Sequence, residues 1–330
     1  MDGMCKVTAR NGGVGFIFVA VGWICSAPAQ NYPARPVRIV VPYAAGGLPD
    51  TMTRITTPRL VATMGQPFVV DNRPGAGGIN ACEIVAGSPP DGYTLLIADV
   101  GQTAINPALY SKLSYDPIRD FAPVSIIGIS AQFLVTHSAV PANTLPELIA
   151  LAKMKPGQLS YGSGGTGSLH HLSMEALKAP LGLEITHVPY KGTAQAVPGL
   201  LNGEVMLVFA ALPSIAGHIK AGRVKLLAVN TLKRSAQAPE VPTVAEVTGI
   251  KDYDYPPEIG VLAPARTSAA IVKRLAEEIG NAVRHSETAS RFATLGIEGV
   301  GNTPDEYMRQ IRIDIAKYAK AVKASGIKLD

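Results

Sequence analysis

The chain is 330 residues long, 47% hydrophobic and 17% charged, which excludes a disordered chain and calls for two domains or one large one. A formal charge of +5 and a pI near 9.0 are mild. The 30 Lys and Arg are scattered without a basic run, so no nucleic-acid partner is expected.

The N-terminus reads as an export signal covering residues 1–29. Lys6 and Arg10 precede the apolar run 14–25 (VGFIFVAVGWIC), and Ala27-Pro28-Ala29 supplies a small-x-small cleavage pattern. The run is shorter than the ~20 residues needed to span a bilayer. Cleavage near Ala29/Gln30 and a soluble periplasmic protein are expected. Bulky Trp23 and Ile24 before Cys25 argue against a lipid-attachment box. Cys5 and Cys25 leave with the signal, so Cys82 has no partner for an internal disulfide. Flanked by Ala81, Ile84 and Val85, it reads as a buried small hydrophobe.

The mature part opens with strand 37–43 (VRIVVPY), the glycine turn 44–50 (AAGGLPD) and a helix over 51–64. Pro58 is expected to bend or interrupt that helix, and Asp50 sits where an N-cap would. Strand 68–71, glycine-rich loop 72–78 and helix 79–86 follow, the loop reading as a structural turn. Next come the turn Asp91-Gly92, apolar strand 93–98, loop 99–103 and a short helix ending near Tyr110. Segments 121–129 and 132–136 are strand-like. Thr144-Leu145-Pro146-Glu147 is a capping box that opens a helix to about Lys155.

Segment 158–175 (QLSYGSGGTGSLHHLSME) carries a second strand–glycine loop–helix unit. Leu159 and Tyr161 alternate, Gly162–Gly167 turns, and Leu169, Leu172, Met174 and Leu177 recur at helical spacing. Backbone N–H groups at such a helix start make an anion site, for phosphate or carboxylate. Strand 185–189, helix 193–201, strand 205–209, helix 214–221 and strand 224–229 follow. Helices 269–284 and 286–295 come next, and a capping box at Thr303–Glu306 opens a last helix to about Ser325. This alternation implies parallel or mixed sheets covered by helices. Two glycine-loop units imply two similar α/β lobes, with ligand beyond the carboxyl ends of the strands.

Catalytic patterns are incomplete. Gly162-x-Gly164-x-x-Gly167 matches the dinucleotide fingerprint literally, but Glu184 precedes the next strand instead of ending it. Ser163 has Tyr161 where a nucleophile elbow needs glycine. Ser168, His170 and His171 are helix neighbours, not a spaced triad, although a dispersed triad stays open. His170 and His171 point about 100° apart on a helix. His171 and Glu175 share a face, yet no third ligand is indicated, so no metal is expected. His137, His187, His218 and His285 stand alone. Two anion-ready loops without catalytic groups point to binding without turnover, and no cofactor.

Several motifs in order resemble the Bug-type tripartite tricarboxylate transporter receptors. They include 41–50 (VPYAAGGLPD), 71–78 (DNRPGAGG), 90–96 (PDGYTLL), 105–110 (INPALY), 115–124 (YDPIRDFAPV), 161–172, 187–192 (HVPYKG) and 218–222 (HIKAG). The resemblance runs through essentially the whole mature chain. It implies a two-lobed type II periplasmic-binding-protein fold, α/β with mixed sheets and an interlobe cleft. Lobe 1 would be residues 30–128 and 259–330, and lobe 2 residues 129–258, with crossings near 126–131 and 255–260.

Carried over residue by residue, Ala45, Gly46, Gly47 and Asp50 would hold one end of a small carboxylate, partly through ordered water. Ser163, Thr166, Gly167, Ser168 and His171 would hold the other, and Gly101, Gln102 and Thr103 would line the cleft. Asp50 as a plain helix cap stays open, because its charge repels an anion. One departure concerns the ligand: Phe209-Ala210-Ala211 stands where the family commonly has Phe-Asp. Without an acid at Ala210 an amino group has no partner, which favours an aliphatic or aromatic carboxylate. A second departure is Glu258-Ile259 before Gly260, where an aromatic is common. The resemblance thus implies a monomeric receptor delivering a carboxylate to membrane transporter subunits. A ligand sensor for a signalling partner, or a secreted carboxylic-ester hydrolase using Ser168, remains as an alternative.

Overall fold

Strongly apolar strands build the frame, and a computed structural model describes residues 32–190 and 192–327 of it. The expected export signal, residues 1–29, lies outside the described residues. In chain order the elements are β1 (Val37–Val41), α1 (Leu48–Met64), β2 (Phe68–Asn72), α2 (Ile79–Ala86) and β3 (Thr94–Ala98). A π-helical turn at Gly101–Ile105 runs into α3 (Asn106–Leu109), followed by β4 (Phe121–Ser130), β5 (Phe133–His137) and α4 (Leu145–Met154). Then come β6 (Leu159–Ser163), α5 (Leu169–Leu181), β7 (Ile185–Pro189), α6 (Thr193–Leu201) and β8 (Leu207–Ala210). The chain continues through α7 (Leu212–Lys220), β9 (Val224–Val229), α8 (Val244–Thr248) and β10 (Glu258–Pro264). It ends with α9 (Ala269–Arg284), α10 (Ser286–Thr294), β11 (Ile297–Gly299) and α11 (Pro304–Ser325).

Two mixed sheets result. The first has the order β11-β4-β10-β3-β1-β2, the second β7-β6-β8-β5-β9. In the first, β1 is parallel to β2 and β3, and β10 runs antiparallel to β3 and β4. In the second, β6 is parallel to β7 and β8, while β5 is antiparallel to β8 and β9. Parallel neighbours put the ends of β1 and β3 on one side of their sheet, and those of β6 and β8 on one side of theirs. The first sheet takes strands from both ends of the chain.

The chain passes from β4 to β5 through Ala131 and Gln132 and returns before β10. Asn230, 1% exposed, ties the two passages together. Its Oδ1 accepts from Gln132 N–H at 2.9 Å and its Nδ2 donates to Tyr255 O at 2.5 Å. Its own N–H donates to Gln132 O, and its carbonyl accepts from Tyr255 N–H. The C-terminal α11 touches both the Gly101–Ile105 turn and α5. A single buried cluster therefore runs from Val100, Ile105 and Leu109 through Tyr318 to Leu172 and Tyr253.

Three local expectations are corrected. Helix α1 begins at Leu48 with Gly47 as its N-cap, so Asp50 lies inside the first turn and is not the cap. Pro49 at the second helical position explains the earlier start, since its ring is pre-set for a first turn. The helix then continues through Pro58 without interruption. At Thr144 only half of the capping box forms: the hydroxyl accepts from Glu147 N–H, whereas Glu147 Oε2 takes the Asn143 N–H. The Thr303–Glu306 box is complete, and a second complete box at Thr243–Glu246 opens α8. Cys82 is a free, buried thiol, and burial pushes it up to about 12.

Candidate functional site

The first loop leaves the carboxyl end of β1. Asp50, 2% exposed, holds it from within: its carboxylate accepts from Gly46 N–H at 2.9 Å, Asn72 Nδ2 at 3.0 Å and Arg54 Nε at 3.0 Å. Burial raises its pKa, but these donors outweigh burial and keep the carboxyl below its ordinary range. Its charge is thus spent on the loop itself. Ala45 and Gly46 are exposed and Gly47 half-buried. Helical geometry leaves the first-turn amides of Leu48 and Asp50 without intrahelical acceptors.

The neighbouring turn after β3 is joined to this loop by side chains. Tyr43 donates to Asp99 Oδ2 at 2.6 Å, and Gln102 Nε2 donates to Tyr43 Oη and to Gly77 O, each at 3.0 Å. Asp99 in turn accepts from Gly101 N–H at 2.6 Å. Burial raises the Asp99 carboxyl above the usual range even though Tyr43 and two amides oppose it. Gln102 and Thr103 are buried, their side chains bonded inward, while Gly101 is partly exposed. The glycine-rich loop before α2 serves as structure, since Gly77 O also accepts from Asn106.

The second loop leaves the carboxyl end of β6. Gly165 and Gly167 adopt φ of 124° and 76°, a region that favours glycine. Ser168 caps α5, accepting from His171 N–H at 3.3 Å. His171 Nδ1 accepts from Gly167 N–H at 3.0 Å, and Ser163 Oγ accepts from Gly165 N–H at 3.1 Å. Thr166 is exposed and Ser168 half-buried. The amides of Leu169 and His170, at the positive end of the helix, again lack intrahelical acceptors.

Beneath this loop lies a group that residue spacing did not reveal. His187 on β7 stacks on His171 with ring centroids 3.7 Å apart and sits 2.7 Å from Ser163 Oγ through Nε2. Tyr161 packs on His187 and donates to Glu175, which also takes Lys178 at 2.6 Å. Burial and then the His187 ring lower His171 to about 4, and burial lowers His187 as well. The one available signal was the HVPYKG motif, which carries no register; Tyr161 and His187 are in fact partners across β6 and β7.

Ala210 ends β8 on the same side of the sheet, 4% exposed. A cavity of about 300 Å³ lies at the opposite ends of β6 and β8, among Val140, Leu151, Lys155 and Met206. Among the described residues no cluster of His, Cys, Asp or Glu could hold a metal ion, and no helix is long and apolar enough to cross a membrane. Each set of loop residues is thus assembled by hydrogen bonds at its own sheet's edge: polar amides and hydroxyls, with its charged groups already paired. Such a surface can bind an anion and release it.

Comparison with known proteins gives these loops a context. Residues 52–327 match the model of the tripartite tricarboxylate transporter family receptor. Protein BugT of Bordetella pertussis is 34% identical over 317 residues, covering 96% of this chain and 97% of that one. A solved R. palustris protein with adipate is 36% identical with a TM-score of 0.83, covering 90% of this chain and 99% of that one. MatC from Rhodopseudomonas palustris, solved with bound malate, is 29% identical with a TM-score of 0.79, covering 88% and 100%. The fold is the two-lobed one of periplasmic solute-binding proteins.

Proposed function

The chain belongs to the tripartite tricarboxylate transporter receptor family, and from that premise we infer that it captures a linear dicarboxylate outside the cytoplasm. It is a binding protein and not an enzyme. The observation that carries the ligand class is the pair of glycine loops, one at the carboxyl end of a parallel strand in each sheet, each opening a helix whose first amides lack intrahelical acceptors.

In this reading the loop Ala45, Gly46 and Gly47 seats one carboxylate against the Ala45 amide and the first-turn amide of Leu48, and Asp50, which takes the Gly46 N–H, shapes that loop. Thr166, Gly167 and Ser168 receive the other carboxylate, with Ser163 and His171 fixing their loop and Gly101, Gln102 and Thr103 walling the cleft. The lobes are residues 30–128 with 259–330, and 129–258. The mature protein begins near Gln30, works as a periplasmic monomer and hands ligand to membrane transporter subunits. Small, apolar Ala210 favours adipate-like chains over aminodicarboxylates, since it offers an ammonium group no acceptor.

A thermal-shift panel of the mature protein tests this. Adipate or malate at 100 times its Kd should stabilise the fold by ~2.7 kcal/mol. Stabilisation by aminodicarboxylates alone would sink the reading of Ala210. No response to any carboxylate would remove the ligand class.

A further inference from the structure

His187 lies outside the glycine loop, on the next strand, yet the loop's internal bonds converge on it. Ser163 Oγ sits 3.0 Å from Gly165 O, accepts from Gly165 N–H and lies 2.7 Å from His187 Nε2. A hydroxyl has one proton. With that proton on Gly165 O, His187 Nε2 must be the donor to Ser163. The face of His187 meanwhile stacks on His171, 19° from parallel, and His171 Nδ1 holds the Gly167 N–H. One imidazole therefore supports both left-handed glycines, Gly165 through Ser163 and Gly167 through His171.

We propose that His187 is a positioning residue of the carboxylate site, holding the Ser163–Ser168 loop in its donor-presenting shape through a hydrogen bond and a ring stack. The proposal rests on the carboxylate-receptor reading above. Both rings must be neutral for it to work. A second proton on His171 would abolish the acceptor for Gly167, and two stacked cations would repel. The charged and titratable groups facing the pair are Glu175 and Lys178 on α5 and Tyr161 on β6. Glu175 Oε1 is 3.8 Å from His171 Nε2, but the Tyr161 hydroxyl and the Lys178 ammonium already engage it. The carboxylate is therefore shared and not dedicated to an imidazolium.

Two substitutions separate the two contacts. His187→Gln retains an N–H donor in reach of Ser163, whereas His187→Phe retains the ring and loses the donor. Affinity for adipate at pH 7.5 should fall roughly tenfold in His187→Phe, the scale of one lost hydrogen bond, and be restored in part in His187→Gln, which regains the donor and lacks the ring. Hydrogen exchange at the Gly165 amide of the ligand-free protein should quicken roughly tenfold in His187→Phe and stay near wild type in His187→Gln, whereas the Gly167 amide, held through the ring stack, should quicken in His187→Gln and stay near wild type in His187→Phe. Unchanged affinity and exchange in His187→Phe would overturn the proposal. So would equal losses in both variants that track only their melting temperatures. If wild type binds no carboxylate, the receptor reading fails by itself, and the exchange rates still decide whether His187 fixes the loop.

Discussion

Asp50 and Glu258 are both buried carboxylates, and their surroundings push them in opposite directions. Asp50 is held below its ordinary range by Arg54, Gly46 N–H and Asn72 in spite of burial. Its contribution to stability is present at neutral pH and lost as pH falls through its folded value. Glu258, 8% exposed, faces Asp314, 2% exposed, with Gln310 donating at 3.5 Å to the first and 3.2 Å to the second. Burial and then Asp314 push Glu258 up to about 8, with Lys317 partly opposing. The folded chain keeps a proton there that the unfolded chain releases near pH ~4.5. Stability from this group is therefore full below that pH and declines as pH rises to about 8. Glu258→Gln should flatten the melting-temperature profile between pH 5 and 8 and exceed wild type at pH 8. Parallel profiles would show that Glu258 is already ionised. Neither carboxylate's state was legible in the chain. Asp50 stood out as a polar residue in a glycine loop, but Asn72, its partner 22 positions on, is fixed only by the β1–β2 pairing. His187 escaped for the same reason.

Local chemistry decides most elements, and the exceptions are instructive. The complete capping box at Thr303 opens α11 where spacing places it, and Ser168 caps α5. Pro58 behaves otherwise: α1 passes through it because the opposite face carries the buried Thr53, Thr56 and Leu60, while Pro58 itself is exposed. Packing of that face overrides the missing N–H, which still leaves the Arg54 carbonyl without its helical donor. Pro58→Ala should therefore stabilise the protein by about 2 kcal/mol, the recovered helical bond less the entropy gained by the unfolded chain. An unchanged or lower midpoint in urea would contradict that. The strands β10 and β11 were not legible. The first is buried along its whole length and apolar after Glu258, so it shows no alternation. The second has three residues and exists only through its pairing with β4.

At the scale of the whole molecule, alternating strands and helices foretold parallel or mixed sheets, and the two glycine-loop units foretold two lobes with loops at strand ends. They could not foretell the joints. Asn230 pins the two passages between the sheets by four hydrogen bonds, to Gln132 and Tyr255, which lie 98 and 25 residues from it along the chain. The shifts in register between β10 and β4 at Ile259/Gly260 and Val261/Leu262 likewise arise from pairing. Each sheet carries one glycine loop, and the proposed carboxylate capture uses both. Calorimetric titration of adipate into the mature chain, refolded to remove any carried-over ligand, tests that capture most directly. Saturable binding of one adipate per chain, weakened at least tenfold by Ser168→Trp, is the expected result. No heat with adipate, malate or other carboxylates, or equal affinity in Ser168→Trp, would contradict it.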